Sequence, residues 1–153
     1  VLPPVRVKIL GDGPDKAKLE ALAAELSAPV DFLGYQDYPS MAAWLSKSDI
    51  VVNSLVKTAA QSIVTKIGDY LASRSPMINT GSSPEFRGKV ASEGFGINVE
   101  AEDPVALADA IEELARNSSL RKIMAAKGRR VAEEQFDQPH SYQTIVDLIR
   151  KLI

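Results

Sequence analysis

Five short apolar runs, each followed by an amphipathic one, limit what this chain can fold into. "VRVKIL" (5–10), "VDFLG" (30–34), "DIVVNS" (49–54), "PMINT" (76–80) and "FGINV" (95–99) have strand character. The intervening runs have helical period. Leu19, Leu22, Ala23 and Leu26 share one face of a helix, with Pro14 at its first turn. Met41, Trp44 and Leu45 point a second helix inward. In "AAQSIVTKIGDYLASRSPMIN" (59–79), Ile63, Val64, Ile67, Tyr70 and Leu71 line one face of a helix that Pro76 ends. Asp103 is the expected N-cap of "EDPVALADAIEELARN", with Pro104 in its first turn. "SSLRKIMAAKGRRVAEEQF" and "HSYQTIVDLIRKLI" add two more helices, the last opened by His140. "DIVVNS" is apolar nearly throughout, as in a sheet covered on both faces. The alternation predicts an α/β fold: a Rossmann-like parallel sheet in three layers, with helices on both faces. Ligands of such sheets bind beyond the carboxyl ends of the strands. The loops to inspect are those after Leu10, Leu33, Asn53, Thr80 and Val99.

The 153 residues suit a single domain, 1–153, with a real core. A net charge of −2 gives no argument for a nucleic-acid partner or an anionic membrane, and no nucleic acid is expected. No apolar run is long enough to span a bilayer, and the start carries no secretory pattern. Without cysteine there are no disulfides or thiolate metal sites, and a reducing compartment is expected. Because residue 1 is valine, the chain is expected to be an excerpt of a longer one.

Two places could carry chemistry. "GDGP" (11–14) joins a strand to a helix start. Gly11 and Gly13 would let backbone approach a ligand, and the free N–H groups there favour anions. The same spacing also serves as a plain tight turn. It is not a G-x-G-x-x-G fingerprint, since Lys16 occupies the last position. In the 59–79 run, Gln61, Ser62, Lys66 and Asp69 line a polar strip. Lys66 and Asp69 could form only a surface ion pair. Alternatively, N–H groups near Ser62 meet phosphate, Lys66 adds charge, and Asp69 accepts hydrogen bonds from ribose hydroxyls. His140 is the lone histidine and has no metal-ligand partners. "KGRR" (127–130) reads as a solvated helix face.

The ordered series resembles the C-terminal, donor-binding domain of GT-B glycosyltransferases of the broad family 4 type, glycosyl transferases group 1. "VKILGDGPDKAKLEALAAEL" is similar to the family's strand, G-[DE]-G-P turn and helix. "VDFLGY", Trp44-Leu45 and "SDIVVNS" follow in the family's order. "DYLASRSPMINTGSSPEF" resembles "E-A-x-A-x-G-x-P-V-I" with its glycine loop and P-E. "GFGINVEAEDPVALADAIEELARNSSLRKIMAAKGRRVAEEQF" resembles the domain's tail. The resemblance covers roughly 5–137.

The resemblance implies a sugar-nucleotide site. The family's E-x7-E motif falls on Gln61 and Asp69, about 12 Å apart along a helix. Asp69 then anchors the donor ribose. Gln61 meets the transferred sugar with hydrogen bonds but no charge. Ser62 and Lys66 approach the phosphates, Gly11 and Gly13 leave room beside the ligand, and Gly34 and Tyr35 border the base. Ser62-Ile63-Val64 replaces the family's G-F-G, and Arg74 stands at a usual glycine, as a surface change or a lid. The family's first strand and its N-terminal acceptor domain have no counterpart before Val5. The catalytic base is expected from that domain, and the chain alone is expected to be inactive.

The expected function is donor binding in a transferase that moves a hexose from a nucleotide sugar to a glycan, lipid or other acceptor. The family implies no cofactor and no metal, because positive groups and helix N-termini stabilise the leaving diphosphate. It also implies a cytoplasmic protein, with peripheral membrane association of the parent. An exposed sheet edge would favour dimerisation of the fragment. The alternatives are a non-catalytic scaffold of the same fold and a nucleotide-sugar epimerase.

Overall fold

The computed structural model describes residues 4–59 and 65–152. Five strands and seven helices alternate within them: β1 Val7–Leu10, α1 Lys16–Glu25, β2 Val30–Gly34, α2 Tyr38–Ser46, β3 Val51–Asn53, α3 Ile67–Ala72, β4 Met77–Asn79, α4 Pro84–Glu93, β5 Gly96–Asn98, α5 Pro104–Arg116, α6 Ser118–Gln135 and α7 Gln138–Leu152. Each strand falls inside its predicted run. All pairings are parallel, but they form two sheets, β1-β2 and β3-β4-β5, in place of one five-stranded sheet. Apolar pattern predicts where strands form but not which edges meet, because edge pairing depends on what else lies alongside.

The chain divides into two compact units, 1–44 and 45–153. In the first, Val7, Lys8 and Ile9 pair with Val30, Asp31 and Phe32. Lys8 and Arg6 both bond the Asp31 carboxylate, and the Lys8 ammonium also stands 5.4 Å from the Trp44 ring centroid. None of the described residues of this unit is buried. The expected inward face of α1 is open, with Leu19, Leu22 and Leu26 exposed. Only half-buried Ala23 follows the expectation. Two strands with α1 and the first residues of α2 offer too little apolar surface to enclose a core. Pro14 also lies one residue outside the predicted first turn, since Asp15 is the N-cap of α1.

The second unit has a core on each face of its sheet. Strand alternation turns Val51 and Met77 to one face, where they join Ile67, Leu71, Phe86, Val90, Phe95, Val131 and Ala132. Ile78 faces the other way, with Val99, Ala110 and Leu114. Thus α3, α4 and α6 cover one side and α5 the other. Two caps explain where helices begin: Ser83 accepts from the Phe86 N–H, and Asp103 accepts from the Ala106 N–H, as predicted. Within "KGRR", Gly128 is buried against Leu71 and Phe95. Arg129 and Arg130 pair with Glu133 and Glu93 at the surface. The last helix begins at Gln138, so His140 falls inside its first turn rather than opening it.

Candidate functional site

In the first unit, the predicted residues Gly11, Gly13, Gly34 and Tyr35 meet around one carboxylate. The Gly11 N–H donates to the Gly34 carbonyl at 2.7 Å, joining the ends of β1 and β2. Asp12 then accepts from the Tyr35 N–H and from the Lys16 ammonium, each at 2.6 Å. Those two bonds, Lys16 first, hold the Asp12 carboxyl below its ordinary 3.8. The same bond raises Lys16. Gly34 has φ +66°, and a Cβ there would stand 3.3 Å from the Asp12 carboxylate. The positive φ therefore favours glycine, and the carboxylate would have to shift by a few tenths of an ångström to admit a Cβ. Beside the turn lies a cavity of about 160 Å³, walled by Gly11, Gly13, Leu19 and Phe32. It is mostly apolar, and it opens at the carboxyl end of β1. The Tyr35 ring stands in solvent.

In the second unit, Lys66 and Asp69 come together at the start of α3. Gln61 and Ser62 lie outside the described residues. The predicted helix running unbroken from 59 is corrected: Thr65 and Lys66 form a turn, and α3 starts at Ile67. Lys66 is its N-cap residue and Asp69 sits in its first turn. Burial lowers the Lys66 pKa from its ordinary 10.5. Its ammonium stands 5.6 Å from the Tyr70 ring centroid, and among the described residues no carboxylate forms an ion pair with it. Tyr70 is raised by burial first and by the Asp69 charge second. The Asp69 charge is thus felt by the half-buried Tyr70 phenol next to it.

Arg74 ends α3 with φ +63° and is exposed. A left-handed residue at this point explains why glycine suits it. Arg74 lies at the opposite end of α3 from Lys66.

Sequence reasoning missed a ladder at the carboxyl rim of β3-β4-β5. Asn53, Asn79 and Asn98 are in register across the three strands. The Asn53 amide donates to Asn79 Oδ1 at 2.9 Å, and the Asn79 amide donates to Asn98 Oδ1 at 2.9 Å. The Asn98 amide ends the run on the Arg87 carbonyl at 2.9 Å. The strand endings "VVN", "MIN" and "GIN" were the signal. Thr80 steadies the loop that follows β3: it accepts from the Leu55 N–H and donates to the Leu55 carbonyl, both at 2.7 Å. Metal-binding groups of three or more His, Cys, Asp or Glu are absent among the described residues.

The family model for glycosyl transferases group 1 matches residues 2–117, about three quarters of the chain. The chain belongs to this family. The matched span takes in both halves of the predicted site. Along 99% of its length the chain is 29% identical to the lipopolysaccharide core biosynthesis glycosyltransferase LpsE of Rhizobium meliloti (strain 1021), of which it spans 42%. Anabaena HepE, solved in complex with UDP, superposes with TM-score 0.82 at 19% identity, over 98% of this chain and 42% of that one. Sucrose-phosphate synthase from Thermosynechococcus elongatus gives 0.81 at 20% identity, over 96% and 38%. These two structures establish the fold, the C-terminal half of a GT-B architecture. The chain spans less than half the length of each of these relatives.

Proposed function

We propose that this chain binds the nucleotide-sugar donor of a hexosyltransferase whose acceptor is a glycan or lipid. The observation that carries the reading is Lys66, a half-buried cation without a carboxylate partner among the described residues, one helical turn from Asp69. Burying an ammonium is unfavourable unless an anion offsets the lost hydration. A donor diphosphate is such an anion, and a carboxylate at position 69 suits the vicinal hydroxyls of ribose. UDP in the HepE complex and the lipopolysaccharide role of LpsE support a nucleotide donor and a glycolipid acceptor. Gln61 and Ser62 keep the roles the resemblance implies. The chain is read as one donor domain, 1–153. Gly11 and Gly13 leave space at the first unit's cavity, and Gly34-Tyr35 borders the base.

On this reading no metal or cofactor takes part, because Lys66 and backbone N–H groups stabilise the departing diphosphate. The catalytic base comes from the acceptor domain, and the 153-residue chain alone does not catalyse transfer. No described helix is long and apolar enough to cross a membrane. A glycolipid acceptor would bring the parent to the inner membrane face from the cytoplasm. Dimerisation of the fragment would use an open sheet edge.

The test titrates the full-length protein with UDP, GDP and ADP, comparing wild type with Asp69→Ala and Lys66→Gln. One nucleotide should bind, and each substitution should weaken it by about tenfold or more, the size of a lost charged hydrogen bond. Absence of binding by all three nucleotides would overturn the reading in favour of a scaffold.

A further inference from the structure

Lys16 and Lys66 meet opposite electrostatic conditions. Among the described residues no carboxylate is ion-paired with Lys66, which suits it to an anion. The Lys16 ammonium instead donates to Asp12 Oδ1 at 2.6 Å, and the other oxygen of that carboxylate accepts from the Tyr35 N–H at 2.6 Å. The bond to Asp12 raises the Lys16 pKa, so the group stays protonated, and Glu20 acts on it by charge alone. The Asp12–Lys16 pair carries no net charge. An ammonium has three donors, and Asp12 takes one of them. Lys16 is therefore equipped to give a hydrogen bond to a neutral acceptor rather than to neutralise an anion.

Its surroundings say what kind of acceptor. Lys16 has a side chain 33% exposed and lines the cavity of about 160 Å³ together with Ile9, Leu10, Leu19 and Phe32. A diphosphate placed against these apolar groups would lose hydration with no net charge to offset the loss. A flat, uncharged ring with polar atoms at its edge meets no such cost. Lys16 also reaches the loop after β2. A Cβ at Gly34 would stand 3.5 Å from Lys16 Nζ, so the ammonium faces the space that a side chain at position 34 would enter. On the donor reading, Gly34-Tyr35 borders the nucleotide base.

Resting on that reading, we infer that Lys16 selects the base, donating a hydrogen bond to a ring carbonyl oxygen of uracil or guanine at the mouth of this cavity. The donor class is then a uridine or guanosine diphosphate sugar. Adenine carries no carbonyl oxygen, and its amino group would meet the ammonium donor to donor. Asp12 acts through Lys16: it fixes the ammonium, and its bond to the Tyr35 N–H ties the pair to the loop beside the base. The Lys16 contact is made to the ring and not to the phosphates, so its loss should be felt by one kind of base and not by every nucleotide.

Equilibrium titration of the full-length protein with UDP, GDP and ADP tests it, wild type against Lys16→Met. Wild type should bind UDP or GDP at least about tenfold more tightly than ADP. Lys16→Met keeps an unbranched apolar stem on the cavity wall. It should weaken the preferred nucleotide by about tenfold and change ADP by less than about twofold, so that the preference disappears. Tightest binding of ADP by the wild type overturns the inference without any variant. A preference left intact in Lys16→Met overturns it as well. So does an equal loss for all three nucleotides, which would assign Lys16 to the phosphates or to the loop. Absence of binding by all three in the wild type overturns the donor reading itself, and the role of Lys16 with it.

Discussion

Leu22 and Leu71 are the same residue type on one-sided helices, yet Leu22 is 48% exposed and Leu71 1%. Leu22 belongs to the first unit, which consists of β1, α1, β2 and most of α2. Leu71 belongs to the second, where α3, α4 and α6 press on one face of a three-stranded sheet while α5 covers the other. Amphipathic spacing makes a helix choose a side; only a further layer makes that side a core. The second unit holds its own hydrophobic core. The first carries its charge contacts, its glycine turn and its cavity on a platform that is half-wet throughout.

The sharpest way to break this contrast is to truncate an apolar side chain in each unit. Phe95→Ala should destabilise by about 3–5 kcal/mol, measured by denaturant midpoint, because its ring is wholly enclosed. Leu22→Ala should cost less than about 0.5 kcal/mol. A comparable loss at Leu22 would mean that α1 is covered in solution.

Gly96→Ala comes next. A Cβ at that position would lie 2.1 Å from the Met77 carbonyl oxygen. Backbone cannot yield as a side-chain tip can, so a loss of about 3 kcal/mol is expected. At Gly13 an added Cβ meets nothing within 4 Å, and Gly13→Ala should leave the midpoint nearly unchanged. Similar costs at the two glycines would erase the distinction between the units.

A smaller effect of opposite sign is expected at Arg74. Its φ of +63° is strained for a side-chain-bearing residue, so Arg74→Gly should stabilise by about 0.5–1 kcal/mol in the same assay. A loss would show that the guanidinium makes a contact worth more than the strain.

The smallest effect concerns the Asp12 junction. Its folded pKa lies below the ordinary 3.8, so its bonds contribute fully above that value. The contribution fades as pH falls from there through the folded pKa. Asp12→Asn should narrow its stability difference from wild type over that acid range, as followed by thermal melts. A difference that persists at pH 2 would assign the bonds to geometry rather than charge.

Much of the architecture was legible along the chain. The apolar runs located all five strands, and the Asp103-Pro104 start located α5, because alternation and capping are local properties of consecutive residues. The start of α3 was not legible. Ile63 and Val64 continue its apolar face, and periodicity alone cannot say where a helix gives way to a turn. Within the site, the glycines of "GDGP" were visible, but Asp12 between them was passed over. Its role depends on Tyr35, 23 residues away.

By itself, the sequence determined an α/β chain of this family, with glycine turns and a Lys-x-x-Asp pair after the third strand. Spacing and backbone preference act over a few residues, so no fold is needed to read them. Only the tertiary structure decided that the strands pair as β1-β2 and β3-β4-β5, that α1 stays exposed, and that three asparagines become one directional ladder. Those outcomes depend on register and on which faces find a covering layer, and both are set by residues far apart in the chain.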